Sequence, residues 1–244
     1  MRRAATFAAP VTLVPALPLT MLPQDFVPVR TRDGSLTLRS EEWGEQYHSR
    51  HGAVQESTHV YIRTGLEHTQ KRSVDVLEVG LGTGLNLLLT WIRCLEGKCT
   101  ATYTALEPFP LTRDQLEAMA HCEDLAWPGL HTPFMERMLG PTDTWHGPVG
   151  GLTFRLLHTA VAEFGERDAY DVVYFDAFSP AAQPGMWTPD VFHRMFAALR
   201  PGGLLVTYCA KGEVRRAMRA AGFKVERLPG PPGKRQMFRA QRPL

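Results

Sequence analysis

The chain has 244 residues, 44% of them hydrophobic and 21% charged, a balance that excludes a wholly disordered protein and a length that buries a substantial core. No stretch of eighteen apolar residues occurs, which excludes a membrane-spanning helix. The net charge of +2 neither demands nor excludes a nucleic-acid partner, and four cysteines are too few to staple a fold of this size. Cys94, Cys99, Cys122 and Cys209 therefore read as reduced, mostly buried thiols of a cytoplasmic protein.

Residues 1–25 begin with basic residues and an apolar run, superficially like a secretion signal, but Pro10, Pro15 and Pro18 cut that run short. They are expected to be a disordered tail or to precede a true start at Met21. Residues 26–40 form two extended segments around Asp33-Gly34, which supplies the dihedrals of a tight turn, so a small hairpin is expected. A polar, aromatic-rich connector, partly helical, continues to residue 66. The clearest unit follows: a strand over 74–79, the glycine turn 80–84, an apolar helix from Leu85, and a second strand over 101–106 ending at Glu107. Strand, helix, strand in this order is a parallel βαβ unit. A helix is expected over 112–121, then a Pro-, Gly-, Trp- and His-rich insertion over about 121–151. Further strands fit 153–157, 170–175 and 204–209. Helices fit 189–199, with Pro189 in the first turn, and 212–221. Two last strands, 223–228 and 235–240, flank a Pro/Gly turn and read as antiparallel. The expected organisation is a tail over 1–25, a hairpin and connector over 26–66, and one doubly wound α/β domain over 67–244.

In such sheets ligands bind at the carboxyl ends of the strands. Glu78, Gly80, Gly82, Gly84, Glu107 and Asp176 all fall there. Glycines let the backbone turn tightly and approach a ligand. The spacing departs from the dinucleotide fingerprint, since Leu85 stands where the third glycine would be. Glu78 would repel a pyrophosphate but suits a cationic ligand such as S-adenosylmethionine. Glu107 is spaced to bridge ribose hydroxyls. Asp176, followed by Phe178 and Pro180, resembles the strand-end loop of amine-directed methyltransferases. A carboxylate there can orient an amine, stabilise charge growing on nitrogen and accept its proton. Asp171, earlier on the same strand, reads as structural. Between 211 and 242, ten Lys or Arg stand against Glu213 and Glu226, a basic surface suited to RNA or merely a solvated face. His48, His51 and His59 lack the ligand spacing of a metal site, so no metal is expected.

The segments GEQYHSRHGAVQESTHVYI (44–62), VLEVGLGTGLNLLLT (76–90), LEPFPLT (106–112), YFDAFSPAAQPGMWTPDVF (174–192) and LRPGGLLVTYCAKGEVRRAMRAAGF (199–223) together resemble the MnmD-type tRNA methyltransferases. These are similar to the methyltransferase half of bifunctional MnmC. The resemblance implies a Rossmann-like class I fold with a mostly parallel seven-stranded sheet, an antiparallel C-terminal strand and a small N-terminal hairpin. It implies methyl transfer from S-adenosylmethionine to the amine of 5-aminomethyl-(2-thio)uridine at the tRNA wobble position. On this analogy Glu78, Gly80, Gly82, Thr83, Gly84, Asn86, Glu107, Pro108, Thr159 and Asp176 would surround the donor. Asp176, Phe178 and Pro180 would serve catalysis. Phe178, Pro180 and Trp187 would shape the nucleobase pocket, the 44–62 segment, whose Tyr47 and His48 read as substrate contacts from a loop over the cleft, would help close it, and Lys211, Arg215, Lys234 and Arg235 would meet the tRNA backbone of the anticodon stem-loop. Two departures stand out. The chain ends at residue 244, so the FAD-dependent oxidase of the fused enzyme is expected to be missing. The third strand leads into Leu157-His158-Thr159-Ala160, without the Gly-Asp pair by which relatives hold the adenine amine. A monomer without an obligate protein partner is expected. The competing readings are a methyltransferase of proteins or small amines, a polyamine aminopropyltransferase and a non-catalytic RNA binder.

Overall fold

A computed structural model of the protein describes residues 26–40 and 45–244, so the tail over 1–25 and the start of the connector, 41–44, lie outside the described residues. The first strands, β1 (Phe26–Arg30) and β2 (Leu36–Ser40), form the expected antiparallel hairpin. The connector becomes α1 (Ala53–Ser57), which widens without a break into a π-helical turn over Thr58–Leu66. Ala53, Glu56, Ser57, Val60 and Tyr61 are all buried there, so this helix carries a charge on its packed face.

The main sheet is built from β3 (Ser73–Val79), β4 (Thr100–Leu106), β5 (His146–Val149), β6 (Leu152–Leu157), β7 (Tyr170–Phe175), β8 (Leu199–Thr207), β9 (Lys224–Pro229) and β10 (Gln236–Gln241). Their spatial order is β5-β6-β4-β3-β7-β8-β10-β9. The pairs β6·β4, β4·β3, β3·β7 and β7·β8 are parallel, and β10 runs antiparallel to both β8 and β9. The strand order reverses between β3 and β7, which opens the ligand crevice at their carboxyl ends. Every residue of β7 is buried, as a central parallel strand covered on both faces requires. The outermost strand, β9, carries Lys224, Glu226 and Arg227 exposed, which discourages edge-to-edge pairing.

Helix α2 (Leu85–Leu95) is buried over nearly its whole length. One side lies on the sheet, and the other is covered by the π-helical turn and by the insertion. Trp91 shows the interlock: its indole N–H donates to Val149 O at 2.9 Å and Arg137 stacks over its ring at 4.2 Å. Removing that ring is expected to cost about 3–5 kcal/mol. On the opposite face, α6 (Pro189–Ala198) and α7 (Gly212–Ala220) cover β7, β8 and β10 through Phe192, Met195, Val214 and Met218.

Two details differ from the sequence reading. The sheet has eight strands, not seven, because β5 joins antiparallel to β6 at the edge. Its sequence, HGPV, holds a Gly and a Pro and shows no alternation; proline is tolerated there because an edge strand need not donate on both sides. The helix expected over 112–121 is two helices, α3 (Arg113–Glu117) and α4 (His121–Asp124). Ala120 between them takes a φ of 48°, and the break lets buried His121 reach Thr83. The rest of the insertion includes α5 (His131–Leu139), and β5 occupies its far end.

Candidate active site

The glycine turn leaves β3 at the switch point. Gly80 takes a φ of 87°, and a Cβ on it would stand 2.7 Å from the Asp176 carbonyl oxygen, so only glycine lets the two strand exits lie side by side. The Asp176 N–H donates to Val79 O at 3.0 Å, and the Gly80 N–H to Leu106 O at 3.0 Å. Three strand ends are thus laced together, and each delivers a carboxylate.

Glu78 is completely buried and accepts from Asn86 Nδ2 at 2.8 Å and from the Tyr103 hydroxyl at 2.8 Å. Burial pushes its carboxyl well above the usual range, and Asp176 and Glu107 add repulsion. Glu107 accepts the Gly82 N–H on Oε2 and the Phe109 N–H on Oε1, each at 3.0 Å. Burial raises it too, although these N–H groups partly compensate. Asp176 accepts from the Tyr61 hydroxyl at 2.6 Å and from Asn86 Nδ2 at 2.9 Å. Burial carries it up to about 7; Glu56 adds to the rise, while Tyr61, Asn86 and Lys234 oppose it.

Asn86 therefore bridges two carboxylates with its amide nitrogen, and its own buried Oδ1 has no hydrogen-bond partner. One fully buried acid and two half-buried ones beside an unsatisfied acceptor form a site that favours a cation carrying hydrogen-bond donors. S-adenosylmethionine, with a sulfonium and an ammonium group, fits that donor set; a pyrophosphate does not. Glu78 was expected to face the ligand, but Asn86 and Tyr103 enclose its carboxylate, so its charge acts from behind the turn.

The other expected residues are placed unevenly. Thr83 Oγ1 stands 2.9 Å from His121 Nε2. Pro108 is exposed beyond β4, and Thr159 is half-buried just past β6. Tyr47 lies directly on the glycine turn: a Cβ on Gly82 would sit 2.7 Å from its ring, and its ring centroid is 4.9 Å from that of Phe178. His48 turns away, with Nδ1 3.1 Å from Thr37 Oγ1, and burial pulls it down to about 4, so it is neutral. The loop carrying Phe178 and half-buried Pro180 is pinned from several sides. Gln183 Oε1 accepts the Phe178 N–H at 3.2 Å, and Ser179 Oγ donates to Glu45 at 2.7 Å. Trp187 is only 6% exposed; it packs on Phe175 and donates its indole N–H to Phe178 O at 2.8 Å. It braces the loop from the core and does not line its outer surface.

Among the basic candidates, Lys211 and Arg235 are exposed and Arg215 is half-buried. Lys234 points inward. Its ammonium is ion-paired with buried Glu56 and stands 3.7 Å from the centre of the Tyr208 ring. A buried carboxylate is a stronger partner than bulk water, which is why this lysine does not project outward with its neighbour. Sequence reasoning missed Glu56, Tyr61, Tyr208 and His121 as members of the site. Only Glu56 carried a signal, as an acid spaced between Ala53 and Val60 on an apolar helical face.

Strand-end carboxylates closing a glycine turn, on a sheet of this order, define a class I S-adenosylmethionine-dependent methyltransferase. Residues 151–243 match the family described as S-adenosyl-L-methionine-dependent methyltransferase. The chain is 32% identical over 251 residues to the tRNA 5-methylaminomethyl-2-thiouridine biosynthesis bifunctional protein MnmC of Chromohalobacter salexigens, covering 94% of this chain and 34% of that protein. It is 33% identical to the MnmC of Aromatoleum aromaticum, covering 86% and 34% respectively. A crystal structure of MNMC2 from Aquifex aeolicus superposes with a TM-score of 0.69 at 26% identity, covering 88% of this chain and 70% of that one. The chain is homologous to the MnmC proteins and spans about a third of the length of the curated relatives it matches. Its methyl donor is S-adenosylmethionine. No helix among the described residues is long and apolar enough to cross a membrane.

Proposed function

We propose that the chain methylates the exocyclic amine of 5-aminomethyl-(2-thio)uridine at the wobble position of tRNA, giving the 5-methylaminomethyl nucleoside. One observation carries the reading: Asp176, beside the donor turn, is held by two neutral donors and buried to a pKa near 7. That is a carboxylate poised to exchange a proton near neutrality. The names of the MnmC relatives supply the nucleoside.

S-adenosylmethionine, when bound, supplies an electrophilic methyl carried on sulfur. Gly80, Gly82, Thr83 and Gly84 would receive it, with Asn86 Oδ1 for its ammonium, Glu107 for the ribose hydroxyls, and Pro108 and Thr159 on the adenine side. Asp176 accepts a hydrogen bond from the neutral amine and aims its lone pair. As the amine takes that methyl, the proton displaced from nitrogen would pass to the Asp176 carboxylate. Tyr47 and Phe178, whose rings meet over the turn, shield this exchange from water. Lys211, Arg215 and Arg235 serve the phosphates of the anticodon stem-loop, from a cytoplasmic monomer whose methyltransferase domain spans 67–244.

Labelled S-adenosylmethionine incubated with tRNA carrying 5-aminomethyl-uridine, followed by nucleoside mass analysis, tests the reading. Label in 5-methylaminomethyl-uridine, absent from tRNA that lacks the free aminomethyl group, supports it. Intact donor binding without transfer to that tRNA overturns it in favour of a protein or small-amine acceptor.

A further inference from the structure

Helix α2 begins behind the donor turn and ends at the opposite edge of the sheet, where a tight turn passes the chain to β4. The Gly97 N–H donates to Cys94 O at 2.9 Å and the Lys98 N–H to Arg93 O at 3.0 Å, with Gly97 at a φ of 70°. This pair of bonds closes a helix on a left-handed glycine and turns the chain back on itself. Cys99 is thereby returned to Cys94, and the two sulfurs stand 3.8 Å apart. A disulfide bond of about 2.05 Å is then within reach of side-chain rotation.

The two thiols have different surroundings. Cys94 is buried. Cys99 is half-buried and lines a surface cavity of about 200 Å³, whose walls also carry Lys71, Arg72, Arg93 and Lys98 against Glu67. The hydrogen bond from the Cys94 thiol, helped by Arg93, holds the Cys99 thiol below its usual range against burial and Glu67. The same bond, together with burial, pushes Cys94 up. A thiol reachable from solvent, set among cations and backed by a second sulfur, is equipped to react and then to be resolved. Cys122 and Cys209 are the contrast: each is buried in a hydrophobic cluster, and burial raises both.

We propose that Cys94 and Cys99 form a redox-modification site for hydrogen peroxide, with Cys99 as the sulfur that meets the oxidant and Cys94 as the sulfur that resolves it. The Cys99 thiolate attacks one peroxide oxygen, the O–O bond breaks, and the other oxygen leaves as hydroxide, which takes up the proton that Cys99 gave up. Cys99 is then a sulfenic acid. The Cys94 sulfur attacks the Cys99 sulfur, the S–O bond breaks, and the hydroxyl leaves with the Cys94 proton as water. Two thiols are oxidised to one disulfide while one peroxide is reduced to two waters, and a dithiol reductant reverses the change. The site is independent of the amine-acceptor reading.

The test uses the whole chain, treated with hydrogen peroxide, alkylated with N-ethylmaleimide in denaturant and digested with trypsin. Trypsin cuts after Arg93 and Lys98, so the bridge is read as the peptide beginning at Cys94 joined to the peptide beginning at Cys99. Dithiothreitol is expected to separate them, and Cys99 to be consumed at least about tenfold faster than Cys122 or Cys209. In Cys94→Ser the reaction should stop at a sulfenic acid on Cys99 that dimedone traps; in Cys99→Ser, Cys94 should remain alkylatable. Near-ultraviolet circular dichroism and donor affinity report that each chain is folded. The proposal is overturned if both thiols stay alkylatable once free cysteine in the same solution is oxidised, if Cys122 or Cys209 reacts as fast as Cys99, or if dimedone labels Cys94 in Cys99→Ser. Should a variant not fold, the wild-type digest decides by itself.

Discussion

Asp171 and Asp176 occupy opposite ends of one strand and have opposite surroundings. Asp171 is met by Lys71 at 2.6 Å, Arg200 at 3.0 Å and the Asp75 N–H at 3.0 Å. Burial would raise its pKa, but the Asp75 N–H and the two cations outweigh burial and hold the carboxyl below its usual value. Asp176 has a phenol, an amide and more distant charges of both signs, and burial wins. A carboxylate saturated with cations is finished as a structural joint. One that is buried and only half-compensated still has binding and proton-transfer work open to it.

The largest expected effect breaks this contrast directly. Asp176→Asn should lower turnover about 10²–10⁴-fold while donor affinity, read by calorimetry, changes less than about tenfold. Asp171→Asn should leave turnover within about twofold and cost about 1–2 kcal/mol in denaturant melts, since its partners Lys71 and Arg200 remain largely solvated. Next comes the pH dependence of stability. Asp176 binds protons more tightly folded than unfolded, so its contribution is present below about pH 4 and is lost as pH rises through about 7. Asp171 runs the other way: its contribution is present above its unfolded pKa and is lost as pH falls below it. Urea melts from pH 3 to 8 should therefore show a shallower falling limb in Asp176→Asn, Glu78 and Glu107 supplying the rest, and a smaller acid-side loss in Asp171→Asn. Donor affinity should rise across pH 6–8 in the wild type and flatten in Asp176→Asn.

A smaller effect sharpens the comparison. Tyr61→Phe removes the 2.6 Å hydrogen bond to Asp176 and should raise its pKa further, so that turnover at pH 7 drops about 3–10-fold and recovers by pH 9. Smallest of all, single alanine substitutions at Lys211, Arg215 or Arg235 should weaken tRNA binding severalfold at low salt. Each should also reduce the slope of log K against log salt by up to about one.

The glycine turn and the acids at the ends of β3, β4 and β7 were legible because they sit at fixed offsets from apolar strands, where local pattern and topology coincide. The short helices of the insertion and strand β5 were not, because His121 serves a tertiary contact with Thr83 that overrides local preference, and Gly147-Pro148 breaks the alternation by which an edge strand is read. The rest of the acceptor wall was illegible for a different reason. Tyr61, Tyr208 and Lys234 are contributed by separate segments and carry no mutual spacing, and Tyr61 looks like any aromatic filling a helix face. Lys234 also shows how misleading a charge cluster is: its neighbour Arg235 is exposed, while it turns to a carboxylate 178 positions earlier in the chain.

That separation has a consequence for how the enzyme comes into being. During synthesis the donor turn and its strands are complete long before the β9–β10 hairpin leaves the ribosome, and α1 must wait for Lys234 with a buried acid still unpaired. Contacts of such long range form late. The connector is therefore fastened to the sheet only once the β9–β10 hairpin has been made, and a nascent chain stopped after β8 would hold the parts of a donor site with Glu56 still lacking its cation.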